Sequence, residues 1–453
     1  MSMRYKGGVI SATPPTTSTG SATGVWTLVQ QLQAQAAGTW PIAIAGPYWI
    51  GFLGGVLGDV GRSVAVDSSG NVYLCGQSST SGIQIAKYNT SGTIQWQRGL
   101  GSGGDVGYSV ALDSSGNVYV CGYSIASGSS FNLQIAKYNT SGTIQWQKSL
   151  GGAASEIGYS VAVDSSGNVY VCGNSDASGT ADFQIVKYNT SGTIQWQRRL
   201  GSGSDVGYSV AVDSSSNVYV CGYSDASGSP DFQIAKYDTS GTIQWQRRLG
   251  GASSDIGYSV AVDSSGNVYV CGYSEASGTA DFQIVKYNTS GTIQWQRRLG
   301  GGSSDYGYSV AVDSSSNVYV CGGSEASGLN NFQIAKYDTS GTIQWQRSLG
   351  GSGSEIGFSV AVDSSGNVYV CGYSNASGNN DFLFAKLPGD GSLTGTYTVG
   401  GYSFTYVASS LTNAVSSLTD AASSLTDAAT SLTDAVSTLT SATSSLTSSV
   451  TTL

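Results

Sequence analysis

Residues 158–207 read GYSVAVDSSGNVYVCGNSDASGTADFQIVKYNTSGTIQWQRRLGSGSDVG, and most of the chain is a variation on this stretch. It contains four strand-like runs. SVAVD and NVYVCG flank a DSSGN turn (DSSSN in some copies), and FQIVKYN is followed by TIQWQ across a TSG turn. Val, Ile, Tyr and Trp fill the runs while Gly, Asn, Asp and Ser fill the gaps, which is the pattern of consecutive hairpins. Four short strands in a unit of this length match one propeller blade.

The first hairpin occurs seven times, beginning at Ser63, Ser109, Ser160, Ser209, Ser259, Ser309 and Ser359. The fourth strand, marked by Trp96, Trp146, Trp196, Trp245, Trp295 and Trp345, follows only six of them. Two segments compete to supply the seventh. Trp49 in WIGFLGG keeps the W-x-x-x-L-G-G spacing of WQRSLGG at Trp345, while Leu393–Val399 could close the same blade from the other side. Either would close the ring non-covalently and remove its open edges. A solenoid is the architectural alternative. The fold expected is all-β: a seven-bladed β-propeller over residues 45–400, an N-terminal arm over 1–44 and a C-terminal heptad-repeat α-helix over 401–453.

With VAVDSSGNVYV as the shared core, the units resemble the SBBP-type β-propeller repeat, related in pattern to NHL repeats. The resemblance implies a rigid disc-like scaffold over roughly residues 45–400.

Composition narrows the function. Gly numbers 64, charged residues reach only 10% and the net charge is −9. An acidic chain lacks the basic surface on which nucleic-acid affinity depends, so no nucleic-acid partner is expected. No apolar run is long enough for a membrane span, and the opening MSMRYKGGVISATPP has no apolar core of the kind a secretory leader carries. The seven cysteines (Cys75, Cys121, Cys172, Cys221, Cys271, Cys321 and Cys371) occur once per unit, always in V-Y-[LV]-C-G. Equivalent positions in separate blades are poorly placed to pair, so buried free thiols made in a reducing cytoplasm are expected.

Blade order defines two faces. The DSSGN and [ND]-T-S-G turns share one, nearly identical in every unit. The other carries the blade crossings and the second-to-third-strand loops, which vary: SIASGSSFN, SDASGTAD, SDASGSPD, SEASGLNN and SNASGNND. The crossings contribute one carboxylate per blade: Asp59, Asp105, Glu156, Asp205, Asp255, Asp305 and Glu355. Asp176, Asp182, Asp225, Asp231, Glu275, Asp281, Glu325 and Asp381 add to an acidic face, which could attract cations or a basic partner. The alternative is that these acids cap backbone turns. The DSSGN turn lacks the carboxylates of a calcium loop, and no metal or cofactor is expected. The lysines and arginines of the third and fourth strands repeat in the blades and read as structural, pairing with blade carboxylates or covering apolar rims. Trp and Tyr read as packing residues, with exposed copies available to stack on sugar rings.

The chain has no histidine. That removes His-based triads and metal sites, and the repeated acids are too alike to form the unlike pair a glycosidase needs. NTSGTIQW resembles a sialidase Asp-box, but its internal spacings are each one residue too long. No phosphate-binding fingerprint stands between a strand and a helix. A non-enzymatic protein is expected.

The ends are unlike the middle. From Leu411 the period becomes seven: Leu411, Leu418, Leu425, Leu432, Leu439, Leu446 and Leu453, each of the first six followed four residues later by Val415, Ala422, Ala429, Val436, Thr443 or Val450. This predicts an a/d seam and a helix that self-associates, with a trimer favoured. Near the start, Val25, Leu28, Val29, Leu32 and Ala36 predict a short amphipathic helix behind an extended linker. KGGVISATPP, VWTLVQQLQAQAAGTWP and the SLTDAA heptads, joined to this propeller, resemble tail-fibre-like and virion-surface proteins of tailed phages of marine cyanobacteria. The resemblance implies a virion structural protein made in the host cytoplasm. Its propeller would recognise the host surface, a glycan being one possible ligand, or would serve only as a capsid or tail decoration among other virion proteins. A glycan-processing enzyme is the remaining alternative.

Overall fold

A computed structural model describes Thr17–Ser18, Ser21–Ala22 and residues 48–452 other than 55–57, 126–129, 152–153, 202, 326–327, 400, 423–424, 426, 430–433, 437–440 and 444–446. The chain divides into two units, residues 1–47 with 453, and residues 48–452. In the first, Thr17–Ser18 pairs with Ser21–Ala22; the helix expected at Val25–Ala36 lies outside the described residues.

Residues 48–452 form the expected seven-bladed propeller. Each blade is an antiparallel sheet whose strands follow chain order, as in Glu156–Val163, Val169–Ser175, Asp182–Tyr188 and Ile194–Leu200 of blade 3. The competition to close blade 7 is won by the N-terminal strand. Trp49–Gly54 pairs with Asp381–Leu387 as the fourth strand, whereas Gly395–Val399 lies outermost on blade 6.

Two side chains account for the closure. In every blade the first-strand Ser hydroxyl accepts the Val N–H of the next blade, as at Ser63 and Val110 (3.1 Å). The seventh such bond, from Val64 to Ser359 (3.1 Å), completes the circle. The fourth-strand Trp indole likewise donates to the third-to-fourth-strand turn of the following blade, and Trp49 supplies the last of these bonds, to Thr90 O at 3.2 Å. At about 1 kcal/mol each, these bonds orient blades that hydrophobic packing holds together. Tyr, Cys, Ile and Leu of one blade interleave with Val, Ala and Tyr of the next. All seven cysteines are free and buried, and burial pushes their thiols well above the ordinary range.

The C-terminal heptads depart from expectation. Where residues 402–452 are described they form short strands, not a helix. Each strand adds to the outer edge of a blade, and successive strands visit the blades in reverse chain order. Tyr402–Ala408 lies on blade 6, Thr412–Val415 on blade 5 and Thr419–Ala422 on blade 4. Asp427–Ala429, Asp434–Val436 and Ser441–Thr443 follow on blades 3, 2 and 1, and Thr447–Thr452 pairs with Trp49–Gly54 on blade 7. The register advances one heptad per blade: Val415, Ala422, Ala429, Val436 and Thr443 stand opposite Arg297, Arg247, Arg198, Lys148 and Arg98. Seven extended residues reach at most about 23 Å, enough to step from one blade rim to the next.

The expected seam residues therefore do not share one face. Leu411 and Leu425 are buried between blades, and Leu418 packs partly buried against the same kind of groove. Their carbonyls accept hydrogen bonds from the side-chain amides of Gln346, Gln246 and Gln296. Val415 is 76% exposed. Leu432, Leu439 and Leu446 lie outside the described residues. The physical reason for the difference is the blade edge itself. Seven fourth strands would otherwise present unpaired N–H and C=O groups, and Ser/Thr-rich heptads, weak as helix formers, satisfy them as strands.

Candidate functional site

The first strand of each blade carries a β-bulge one residue before its Ser, at Arg62, Tyr108, Tyr159, Tyr208, Tyr258, Tyr308 and Phe358. The bulge brings backbones too close for a side chain beside it. A Cβ on Gly372, for example, would lie 1.8 Å from Ile356 O, which explains the glycine in each V-Y-[LV]-C-G run. The unpaired bulge residue points its side chain at its counterpart in the next blade. Ring centroids of Tyr108, Tyr159, Tyr208, Tyr258, Tyr308 and Phe358 follow one another at 4.9, 5.2, 5.0, 5.1 and 5.2 Å. Arg62 closes the circuit, its guanidinium 4.7 Å from the Phe358 centroid and 5.6 Å from that of Tyr108. A closed seven-membered ring with this spacing has a radius of roughly 6 Å, so the collar surrounds the propeller axis.

All seven collar residues are half-buried. Burial pushes the hydroxyl of Tyr308 up to about 12 and raises Tyr108, Tyr159, Tyr208 and Tyr258, so the collar phenols are neutral at physiological pH. Next to the collar stand Tyr123, Tyr223, Tyr273 and Tyr373 of the second strands. The collar lies midway along the first strands, Tyr159 being the fourth of eight residues in Glu156–Val163, and the variable loops stand beyond the strand starts on one side of it. The sequence reading missed it, treating these tyrosines as packing residues. The signal was present in the aromatic or Arg that precedes every hairpin Ser, but a bulge is not legible from alternation alone.

The acidic residues occupy different places from those expected of a binding ring. Asp59, Asp105, Glu156, Asp205, Asp255, Asp305 and Glu355 are all buried, none more than 1% exposed. They fasten the blade crossings. Asp105 accepts from Ser102 N (2.7 Å) and Ile125 N (3.0 Å), Asp205 from Gly203 N, Asp255 from Gly251 N, Asp305 from Gly301 N and Glu355 from Gly351 N. Glu156 and Glu355 also accept from Ser175 and Ser374. Burial raises Asp255 to about 6, against hydrogen bonds from Ser274 and Gly251 that lower it, and raises Asp305 and Glu355 as well. Asp182, Asp231 and Asp281 are buried too, paired with Arg199 (3.2 Å), Arg248 (3.4 Å) and Arg298 (3.2 Å). What remains exposed at the rim is Asp176, Glu275 and Glu325, with Asp225 and Asp381 half-buried. Among the described residues no cluster of three His, Cys, Asp or Glu side chains could hold a metal.

The opposite face is uniform. In each DSSGN or DSSSN turn the Asp carboxylate accepts two backbone N–H groups, the Asn amide and a Tyr hydroxyl, as Asp67 does from Ser69, Asn71 and Tyr73. A third-strand lysine lies over each of those tyrosine rings, at 5.0 to 5.5 Å. Repetition without variation marks these as fastenings.

The SBBP family, described as Beta-propeller repeat, matches at residues 49–83, 95–128, 145–179, 195–228, 244–278, 294–330 and 344–379, more than half of the chain. Each match starts at or beside a fourth-strand Trp, so the sequence repeat runs one strand out of phase with the blade. No curated protein matches. Similar solved structures include a protein of unknown function from Dyadobacter fermentans (10% identity, TM-score 0.45, 61% of this chain and 92% of that one). Others are the polysaccharide lyase Uly1 (8%, 0.44, 73% and 90%) and Sqt1 from Chaetomium thermophilum (11%, 0.38, 74% and 97%). At these TM-scores the likenesses carry no argument.

Proposed function

The chain belongs to the SBBP β-propeller repeat family, and on that scaffold we propose a recognition protein displayed on a phage virion, with the collar face turned toward the host surface. One observation carries this reading. The face that varies in sequence surrounds a ring of half-exposed aromatic side chains, whereas the opposite face is nearly invariant among the blades. Aromatic faces suit the C–H surfaces of sugars, and a rigid disc presents them without ordering cost. The similarity of the chain's ends to virion-surface proteins supports placement on a particle.

We assign no catalytic role. The crossing acids are taken up in turns and the collar phenols are neutral, so among the described residues no acid–base pair faces the axis. Self-association through the heptads would require them to leave the blades, so contacts with other virion proteins are assigned to the uniform turn face. The test is binding of the full chain to permissive host cells and to a glycan array. Absence of binding to any host, together with a collar face covered by other proteins in the intact particle, would favour a purely structural decoration. Turnover of host polysaccharide by the purified chain would overturn the non-enzymatic assignment.

A further inference from the structure

Sevenfold repetition makes departures from it informative, and several of them fall in one sector. Blade 1 carries Arg62 where five blades carry Tyr and one Phe. Its guanidinium has no carboxylate within salt-bridge distance among the described residues, and its Nε is buried without a hydrogen-bond partner. The second-to-third-strand loops of blades 1 and 2, QSSTSG and SIASGSSF, contain no acid, whereas those of blades 3 to 6 carry Asp176, Asp225, Glu275 and Glu325. Blade 2 instead exposes Ile125 (39%) and Phe131 (36%). Phe131 continues a line of rings that starts at Arg62, passes Tyr108 and Tyr123 (6.0 Å apart), and ends 4.6 Å beyond Tyr123.

We propose that this sector binds an acidic glycan, one per chain, with a carboxylate or sulfate on Arg62 and sugar rings laid along Tyr108, Tyr123 and Phe131. The inference rests on the recognition reading and adds to it the charge of the ligand and its position on the disc. A planar guanidinium with free donors matches a carboxylate in two-point geometry, and the adjacent rings supply apolar faces at the spacing of linked sugars. The crossing acids of Arg62's own blade and its neighbours, Asp59, Asp105 and Glu355, are buried, and Asp105 and Glu355 accept hydrogen bonds from turn amides and hydroxyls. The acid rim of blades 3 to 6 repels the same ligand and confines it to the side of blades 7, 1 and 2, where Asn375 stands in place of the loop acid; the aromatic line then places it on blades 1 and 2.

The test is calorimetric titration of the full chain with trigalacturonic acid and with its methyl ester, which keeps the rings and removes the charge. The acid should bind with unit stoichiometry, at least about tenfold tighter than the ester, and more weakly as salt is raised. Arg62→Tyr and Phe131→Ala place residues that other blades carry at the same positions, such as Tyr108 and Ala181, so both variants should fold. Arg62→Tyr should lose the preference, so that acid and ester bind alike, while Phe131→Ala should weaken both ligands about threefold or more. Equal binding of acid and ester, or an Arg62→Tyr variant that still prefers the acid, would overturn the inference. If both trisaccharides bind equally and Phe131→Ala weakens them, the recognition reading stands without the charge. If neither binds, the inference fails, and the host-cell assay alone decides the recognition reading.

Discussion

Leu411→Ala and Val415→Asp separate a belt of strands from a coiled coil, because the two arrangements rank these residues in opposite order. In a helical seam both side chains are core positions, and an Asp in the seam would be the more damaging change. On the blades Leu411 is 4% exposed, among Trp295, Leu299 and Tyr337, whereas Val415 is 76% exposed. Truncating Leu411 removes three carbons, about 2.4 kcal/mol at 0.8 per buried carbon, and a cavity adds to that, giving about 3 kcal/mol. With an unfolding entropy of about 2.1 cal/mol/K per residue over a body of this size, the midpoint should fall by roughly 3–4 °C. Val415→Asp should change it by less than about 0.5 kcal/mol, as surface substitutions do. Thermal unfolding followed by tryptophan fluorescence reads the blades directly, and sedimentation reads association. The belt is refuted if Leu411→Ala leaves the midpoint unchanged while Val415→Asp dissociates an oligomer.

Three further outcomes are expected. Ser216 and Ser316 hold φ of 62° and 61° at the turn position where the other five blades have Gly. Ser216→Gly and Ser316→Gly should each stabilise the fold by about 1 kcal/mol in denaturant titration, and a loss of stability would contradict the assigned strain. Asp255, raised by burial to about 6 from an ordinary 3.8, stabilises the fold when protonated, and that contribution is lost as pH rises through about 6. Asp255→Asn should therefore exceed the parent in melting temperature at pH 8 and lose that advantage by pH 4; a difference independent of pH would refute it. Trp49→Ala removes a buried ring and the last of the seven indole hydrogen bonds, so it should cost about 3–5 kcal/mol and open the ring between blades 7 and 1. Hydrogen exchange that quickens equally in all blades would argue against that site of opening.

The propeller was legible because each blade repeats its own fastenings: the hairpin Ser, the fourth-strand Trp and the turn Asp recur at fixed spacing, and W-x-x-x-L-G-G at Trp49 marked one of the two candidates for the closing strand, the other being Leu393–Val399. The heptads misled for a physical reason. A seven-residue period is two turns of helix, but it is also the extended length that carries a strand from one blade rim to the next. Only the count, one heptad per blade edge, distinguishes them, and it acquires meaning once the edges are known to need partners. The collar was hidden by the bulge, which takes Tyr108 and its equivalents out of the alternating pattern. For Asp59 and the other crossing acids the residues alone left a displayed ring and caps on backbone turns both open, because sequence gives charge without depth; the acids prove to be buried caps. Their burial follows from the crossings' need for acceptors.

The closing strand and the last belt strand lie side by side on blade 7, with Trp49 opposite Thr452. The body's two ends thus leave from one point on its circumference. A pull between them acts on a single pair of antiparallel strands before any blade is loaded, and further travel must detach the belt one blade at a time. Under such a pull the disc would act as a clasp with a graded release.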